Sequence, residues 1–190
     1  RLEANKDVFK EDNSYYIAVN TTNVLDSHGD LHIKGIWNKT VKEQQQKNYL
    51  LLDHKMEMGS VAVKKENVEM FLADIPFKSV GKSFEGTTQA LIYKVSKDNV
   101  INPIAKEWLE SGDDIEASVR MQYVNVELAM NSDVVKEAKN LGESSLVLMG
   151  SNSSTGVIEA VIDTSKQIDN EPLKDTQEEE EVNKLINRRF

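Results

Sequence analysis

The sequence contains no cysteine. Disulfides, thiolate metal sites and a cysteine nucleophile are excluded, so any covalent catalysis must use Ser, Thr, Lys or a carboxylate. The same lack suits a cytoplasmic protein. Histidine is nearly as scarce, at 3 residues, so each candidate base or ligand can be weighed singly. No run approaches the roughly 18 consecutive apolar residues of a membrane span. No signal-peptide pattern is visible either, and the opening on Arg1 rather than Met leaves room for a lost upstream segment. Positive charge is not in surplus: the formal net charge of −9 supports solubility and argues against a nucleic-acid-binding face. A Gly-rich phosphate loop, HExxH and GxSxG are all missing, which leaves nucleotide-binding, zinc-protease and α/β-hydrolase readings without support.

What is there is one domain's worth of chain. Its 190 residues, 39 % of them apolar, allow a single core with some length left over as tail. Residues 1–13 are charged and unpatterned, as in a flexible arm or an edge strand. Tyr15–Asn20 predicts a strand, and Asp26–Asp30 (DSHGD) a turn bending at Gly29. Trp37–Asn48, with Asn38 as candidate cap, predicts a short polar helix. Leu50–His54 and Met58–Val63 are compact apolar pieces, and Val68–Ile75 and Thr87–Val95 predict strands. Asn102–Ser111 carries Pro103 in a first-turn position and Gly112 as its stop, a helix signature. Ile115–Leu128 is the clearest strand: Ile115, Ala117, Val119, Met121 and Tyr123 share one face, and Glu116, Ser118, Arg120 and Gln122 the other. Asp133–Leu141 predicts a helix stopped by Gly142, and Ser144–Met149 and Val157–Ile162 predict strands. From about Ser165 the pattern dissolves into an acidic tail with Glu178–Glu181 at its centre, expected to be disordered or partner-dependent. The expected organisation is thus an arm over 1–13, a domain over 14–164 and a tail over 165–190. The fold class is α+β, with a strongly bent sheet or barrel of about six to eight strands flanked by short helices.

Chemistry can be sought at few places. His28 and His32 have i, i+4 spacing, but Gly29 and the strand-like Leu31–Ile33 argue against the helix a metal site would need. They read as a turn histidine and a surface strand histidine, and no metal or cofactor is expected. His54 ends an apolar run and belongs at the rim of the core, where histidines are more often structural than catalytic. Ser118 lies on the polar face of its strand, where a serine is ordinarily no more than that. Its hydroxyl needs a base and a third group that orients the base. His54 is the base on offer, and spacing alone leaves open whether the two meet.

Taken together, four segments resemble the tailed-phage prohead maturation protease family, relatives of the herpesvirus assemblin serine proteases. They are VLDSHGDLHIKGIW (Val24–Trp37), LLLDHK (Leu50–Lys55) with Gly59 after it, IAKEWLESG running into IEASVRM (Ile104–Met121), and LGESSLVLMGSN (Leu141–Asn152). The resemblance implies Ser118 as nucleophile, His54 as general base and Glu143 as the orienting residue, with Glu116 and Asp53 as competitors for that third place. It also implies an assemblin-like fold, capsid and scaffold proteins as substrates, self-cleavage, self-association and a location inside the assembling prohead in the host cytoplasm. No nucleic-acid or membrane partner is expected. The chain departs from the pattern in reading SVRM where many relatives have a glycine soon after the serine, and Gly150–Ser151 where they have Pro-Ala. Two other readings stand beside it: a catalytically inactive capsid-assembly or scaffolding factor of the same fold, and an unrelated β-rich binding module.

Overall fold

Branched and aromatic residues alternating with polar ones make strand the main regular structure of this chain. A computed structural model describes residues 2–3, 9, 12–83, 85–112, 115–129 and 132–159. Among them are ten strands: β1 (Leu2–Glu3), β2 (Ser14–Thr21), β3 (Leu31–His32), β4 (Tyr49–Leu52), β5 (Val61–Val63), β6 (Glu69–Pro76), β7 (Thr87–Ser96), β8 (Glu116–Ala129), β9 (Ser132–Val147) and β10 (Gly156–Glu159). Two α-helices accompany them, α1 (Asn38–Glu43) and α2 (Pro103–Ser111). The class is α+β, and among the described residues the strands form two sheets with no closed barrel.

The first sheet runs β1-β10-β2-β7-β6. Tyr15, Ile17 and Val19 of β2 enter the main core, while Tyr16 and Ala18 enter a second cluster with Phe9, Phe71, Ile75 and Ile92. Both faces of this sheet are therefore covered, which is why Tyr15–Asn20 reads as an unbroken apolar run with little alternation. Its outer edge is covered too: the Gln45 amide donates to the Met70 carbonyl at 2.5 Å and accepts from the Met70 N–H at 3.1 Å, standing in for a neighbouring strand.

The second sheet is organised by β9. Its first half pairs in parallel with β3, its second half in parallel with β4, and β8 lies antiparallel along its other side. Ala117 and Leu146, opposite one another, point into the main core. Ser118 and Ser145, the next opposed pair, lie on the opposite face of the sheet, where Ser145 is buried as well. The helices close the core: Trp37, Val41, Ala105 and Leu109 pack into it. No described helix is long and apolar enough to cross a membrane.

Four sequence expectations need correction. Asp133–Leu141 is strand, part of β9, although its Lys, Glu and Ala favour helix; the long ladder with β8 outweighs that local propensity. The strands consequently outnumber the expected six to eight, since β1 and β3, of two residues each, give no readable pattern. Asn38 is the first helical residue of α1 and Trp37 occupies the cap position, with no side-chain cap bond. His32, expected on the surface, is 2 % exposed. Of residues 1–13, Leu2–Glu3 forms an edge strand on β10 and Phe9 is buried. The expected strand at Val157–Ile162 is β10 as far as Glu159; residues 160–162 and the acidic tail lie outside the described residues.

The His32 environment explains its burial. The Trp37 indole donates to Asn20 Oδ1 at 2.8 Å, which fixes the amide, so Asn20 Nδ2 donates to His32 Nδ1 at 3.1 Å. The ring proton then sits on Nε2, which has no described partner. Burial pushes the ring below its ordinary 6.5, against the opposing pull of Asp26 and Asp30.

Two outcomes are expected. Asn102 Oδ1 accepts from the Ile104 and Ala105 N–H groups at 3.0 and 3.3 Å, and its Nδ2 donates to the Gly59 carbonyl. Asn102→Ala should lower stability in urea unfolding by about 1–2 kcal/mol; an unchanged midpoint would refute the cap. For His32, the folded chain resists protonation that the unfolded chain accepts, so its contribution is whole above pH 6.5 and is lost as the pH falls below that value. Stability measured between about pH 7 and pH 5 should fall more steeply in the natural chain than in His32→Gln. Equal slopes would count against a buried neutral ring.

Candidate catalytic site

The outer face of the second sheet carries the candidate residues, and a turn after β4 completes them. β4 ends at Leu52 beside Leu146 of β9. The chain then reverses through two consecutive left-handed residues, Asp53 at φ 51° and His54 at φ 54°. Such backbone is costly outside glycine. It is held by three hydrogen bonds: Asp53 N–H to the Leu146 carbonyl at 3.2 Å, Lys55 N–H to the Leu52 carbonyl at 3.1 Å, and His54 N–H to Ser145 Oγ at 3.0 Å.

Glu143 reaches this turn because β9 is irregular. Val119 opposes Ser144, yet Met121 opposes Asn140, so β9 carries two more residues than β8 across this interval. Gly142 takes φ 93° there, and Asn140 Oδ1 accepts from the N–H groups of Gly142 and Glu143, both at 3.0 Å. A bulge of this kind re-aims side chains. The Glu143 carboxyl, 0 % exposed, meets His54 Nδ1 at 2.7 Å through Oε1, and its Oε2 accepts from the Ser145 hydroxyl at 2.7 Å.

Proton bookkeeping fixes the histidine. A carboxylate can only accept, so the hydrogen of this contact sits on His54 Nδ1, and in the neutral ring the lone pair is on Nε2. The His54 side chain is 33 % exposed. It lines an open cleft of about 570 Å³ together with Ser118, Val119 and Arg120, with Ser27 and His28 on one wall and Met149, Gly150 and Ser151 on another. Among the described residues no hydrogen bond joins Ser118 to His54; they share the cleft across Ser145, which is directly opposite Ser118 on β9 and bonded to the His54 backbone. Of the competing carboxylates, Glu116 accepts from the Gly150 N–H at 2.5 Å, and the exposed Asp53 lies 3.6 Å from Lys55 Nζ. Neither meets the His54 ring.

The loop after β9 is fastened to β8, the strand of Ser118. Besides the Glu116 contact, Thr155 Oγ1 accepts from the Ala117 N–H at 3.2 Å and donates to the Ala117 carbonyl at 2.5 Å. A Cβ at Gly150 would lie 2.9 Å from the Ala117 carbonyl oxygen, so only glycine fits this approach without a shift. A larger hollow of about 780 Å³ beside α1 and β6 contains no histidine. No described group of three His, Asp or Glu residues is arranged to hold a metal.

Sequence reasoning missed Ser145, the paired left-handed residues, the bulge and the cleft walls at Ser27–His28 and Met149–Ser151. One signal for the bulge was present: Gly142 interrupts what can be read as strand on both sides.

Comparison with protein-family models, with curated proteins and with solved structures finds no match to this chain.

Ser145→Ala removes a donor from a buried carboxylate and an acceptor from the His54 backbone. It should cost about 1–3 kcal/mol in urea unfolding, whereas an unchanged midpoint would mean that the hydroxyl does not hold the turn.

Proposed function

We propose that this chain is a serine endopeptidase that cleaves capsid and scaffold proteins, and itself, during maturation of a viral prohead assembling in the host cytoplasm. The observation that carries the catalytic part is the 2.7 Å contact between His54 Nδ1 and the fully buried Glu143. It puts the hydrogen on Nδ1, so that Nε2 is the acceptor of the neutral ring, and His54 and Ser118 line one cleft. The viral part rests on the resemblance of the four motifs, and an assemblin-like arrangement of the two sheets belongs to the same proposal.

In the mechanism, Ser118 Oγ attacks the scissile carbonyl carbon while His54 Nε2 takes the hydroxyl proton. The tetrahedral intermediate collapses as His54 returns that proton to the leaving amine, giving an acyl-enzyme. Water, activated by the same nitrogen, then releases the acid. Glu143 keeps the proton on Nδ1 and stabilises the ring when it becomes positive; backbone amides of the cleft wall are the donors for the oxyanion. The ring and Oγ must close to hydrogen-bond distance in the substrate complex, as catalytic contacts in free enzymes commonly do.

The absence of a direct Ser118–His54 hydrogen bond among the described residues favours one second reading, an inactive assembly factor of the same fold. A module in which the motifs are chance would place the two residues apart, and their shared cleft counts against it. A serine-directed phosphonate discriminates, since only an activated serine reacts. The natural chain should be labelled at Ser118, and Ser118→Ala and His54→Ala should not. Processing of capsid protein should fall by about 10⁴-fold or more in either variant, and by about 10²–10⁴-fold in Glu143→Gln. Undiminished processing by Ser118→Ala protein would sink the proposal.

A further inference from the structure

The cleft contains a charge that the hydrolytic steps leave unused. Arg120 stands two residues beyond Ser118 on β8, with its side chain exposed and on the cleft wall. It makes no hydrogen bond or ion pair with any described residue. The carboxylates near it are already committed. Glu116 takes the Gly150 N–H, and Glu143 takes His54 and Ser145. Asp26 accepts from the backbone of His28 and Asp30 and lies 3.9 Å from His28 Nδ1. No Asp or Glu lines the cleft, whereas His28 adds an imidazole from the wall formed by the DSHGD turn. A guanidinium thus stands near Ser118 in a cleft whose lining includes no carboxylate.

A guanidinium presents a planar fork of donors that fits a carboxylate with two parallel hydrogen bonds. In a peptide, carboxylates come from Asp and Glu side chains or from the chain end. An endopeptidase cuts away from chain ends, which leaves the side chains. We propose that Arg120, assisted by His28, determines the specificity of this cleft by selecting peptides with an Asp or Glu close to the scissile bond. The proposal rests on the serine-endopeptidase reading above.

The test digests a library of amidated peptides of mixed sequence with the full chain, and with its Arg120→Glu and Arg120→Gln variants, reading cut sites by mass spectrometry. Amidation removes the terminal carboxylate as a competing explanation. The natural chain should favour Asp or Glu over the matching amides at one fixed position by roughly tenfold. Arg120→Gln should lose that preference, and Arg120→Glu should replace it with a preference for Lys or Arg. The Gln variant serves if the Glu variant does not fold. Cleavage with no acidic preference, or with one unchanged in the variants, overturns the role of Arg120 and leaves the protease reading intact. No cleavage by the natural chain overturns both.

Discussion

A carboxylate without access to water must find donors inside the protein, and Glu143 finds two that tie separate elements together. One comes from the ring of His54, in the turn after β4, and the other from Ser145, on its own strand. Ser145 in turn accepts from the His54 backbone. Ring, carboxyl, hydroxyl and turn therefore form one closed set, in which no member can move without leaving a buried polar group unpaired. Removing the carboxylate alone would take away the partner of both the ring and the Ser145 hydroxyl.

That set is anchored through the core to the other sheet. Asn140, at the base of the bulge that aims Glu143, donates to the Tyr93 hydroxyl on β7 at 3.0 Å. Burial pushes the Tyr93 hydroxyl well above its ordinary range, so it stays neutral and keeps its place as a hydrogen-bonding group. The first sheet, covered on both faces, works as the foundation. The second has one face in the core, and its other face carries the site. Thr155, Glu116 and Gly150 then fasten the following loop, one wall of the cleft, onto the strand of Ser118.

Local signals and tertiary ones were not equally legible. The helix α2 could be read because its cap, first-turn proline and αL glycine lie within eleven residues of one another, Asn102 to Gly112. The two faces of β8 could be read because alternation is a local property: Ala117 is in the core and Ile115, Val119, Met121 and Tyr123 pack against it. The Asp133–Leu141 stretch could not, because its strand state depends on a partner and its composition favours helix. His32 was misread for a related reason, since its ring is held by Asn20 on β2, 12 residues away, a contact that the local pattern does not show. Position gave His54 at the core rim. Its meeting with Glu143, 89 residues away, depends on the bulge, which no pairwise spacing reveals.

The turn at Asp53–His54 bears on whether this cluster is structural or chemical. Two successive non-glycine residues in the left-handed region cost of order 1–2 kcal/mol each. Glycine at either position would turn the chain at less cost, and the backbone hydrogen bonds of the turn would remain available to it. What glycine lacks is an imidazole. A purely structural cluster would also have a simpler solution at Glu143, because an apolar residue in that buried place would need no donors at all. Left-handed backbone at His54 and a buried carboxylate at Glu143 meet in a single contact in which Nδ1 is the donor. In the proposed mechanism, that contact is what holds the general base in one tautomer.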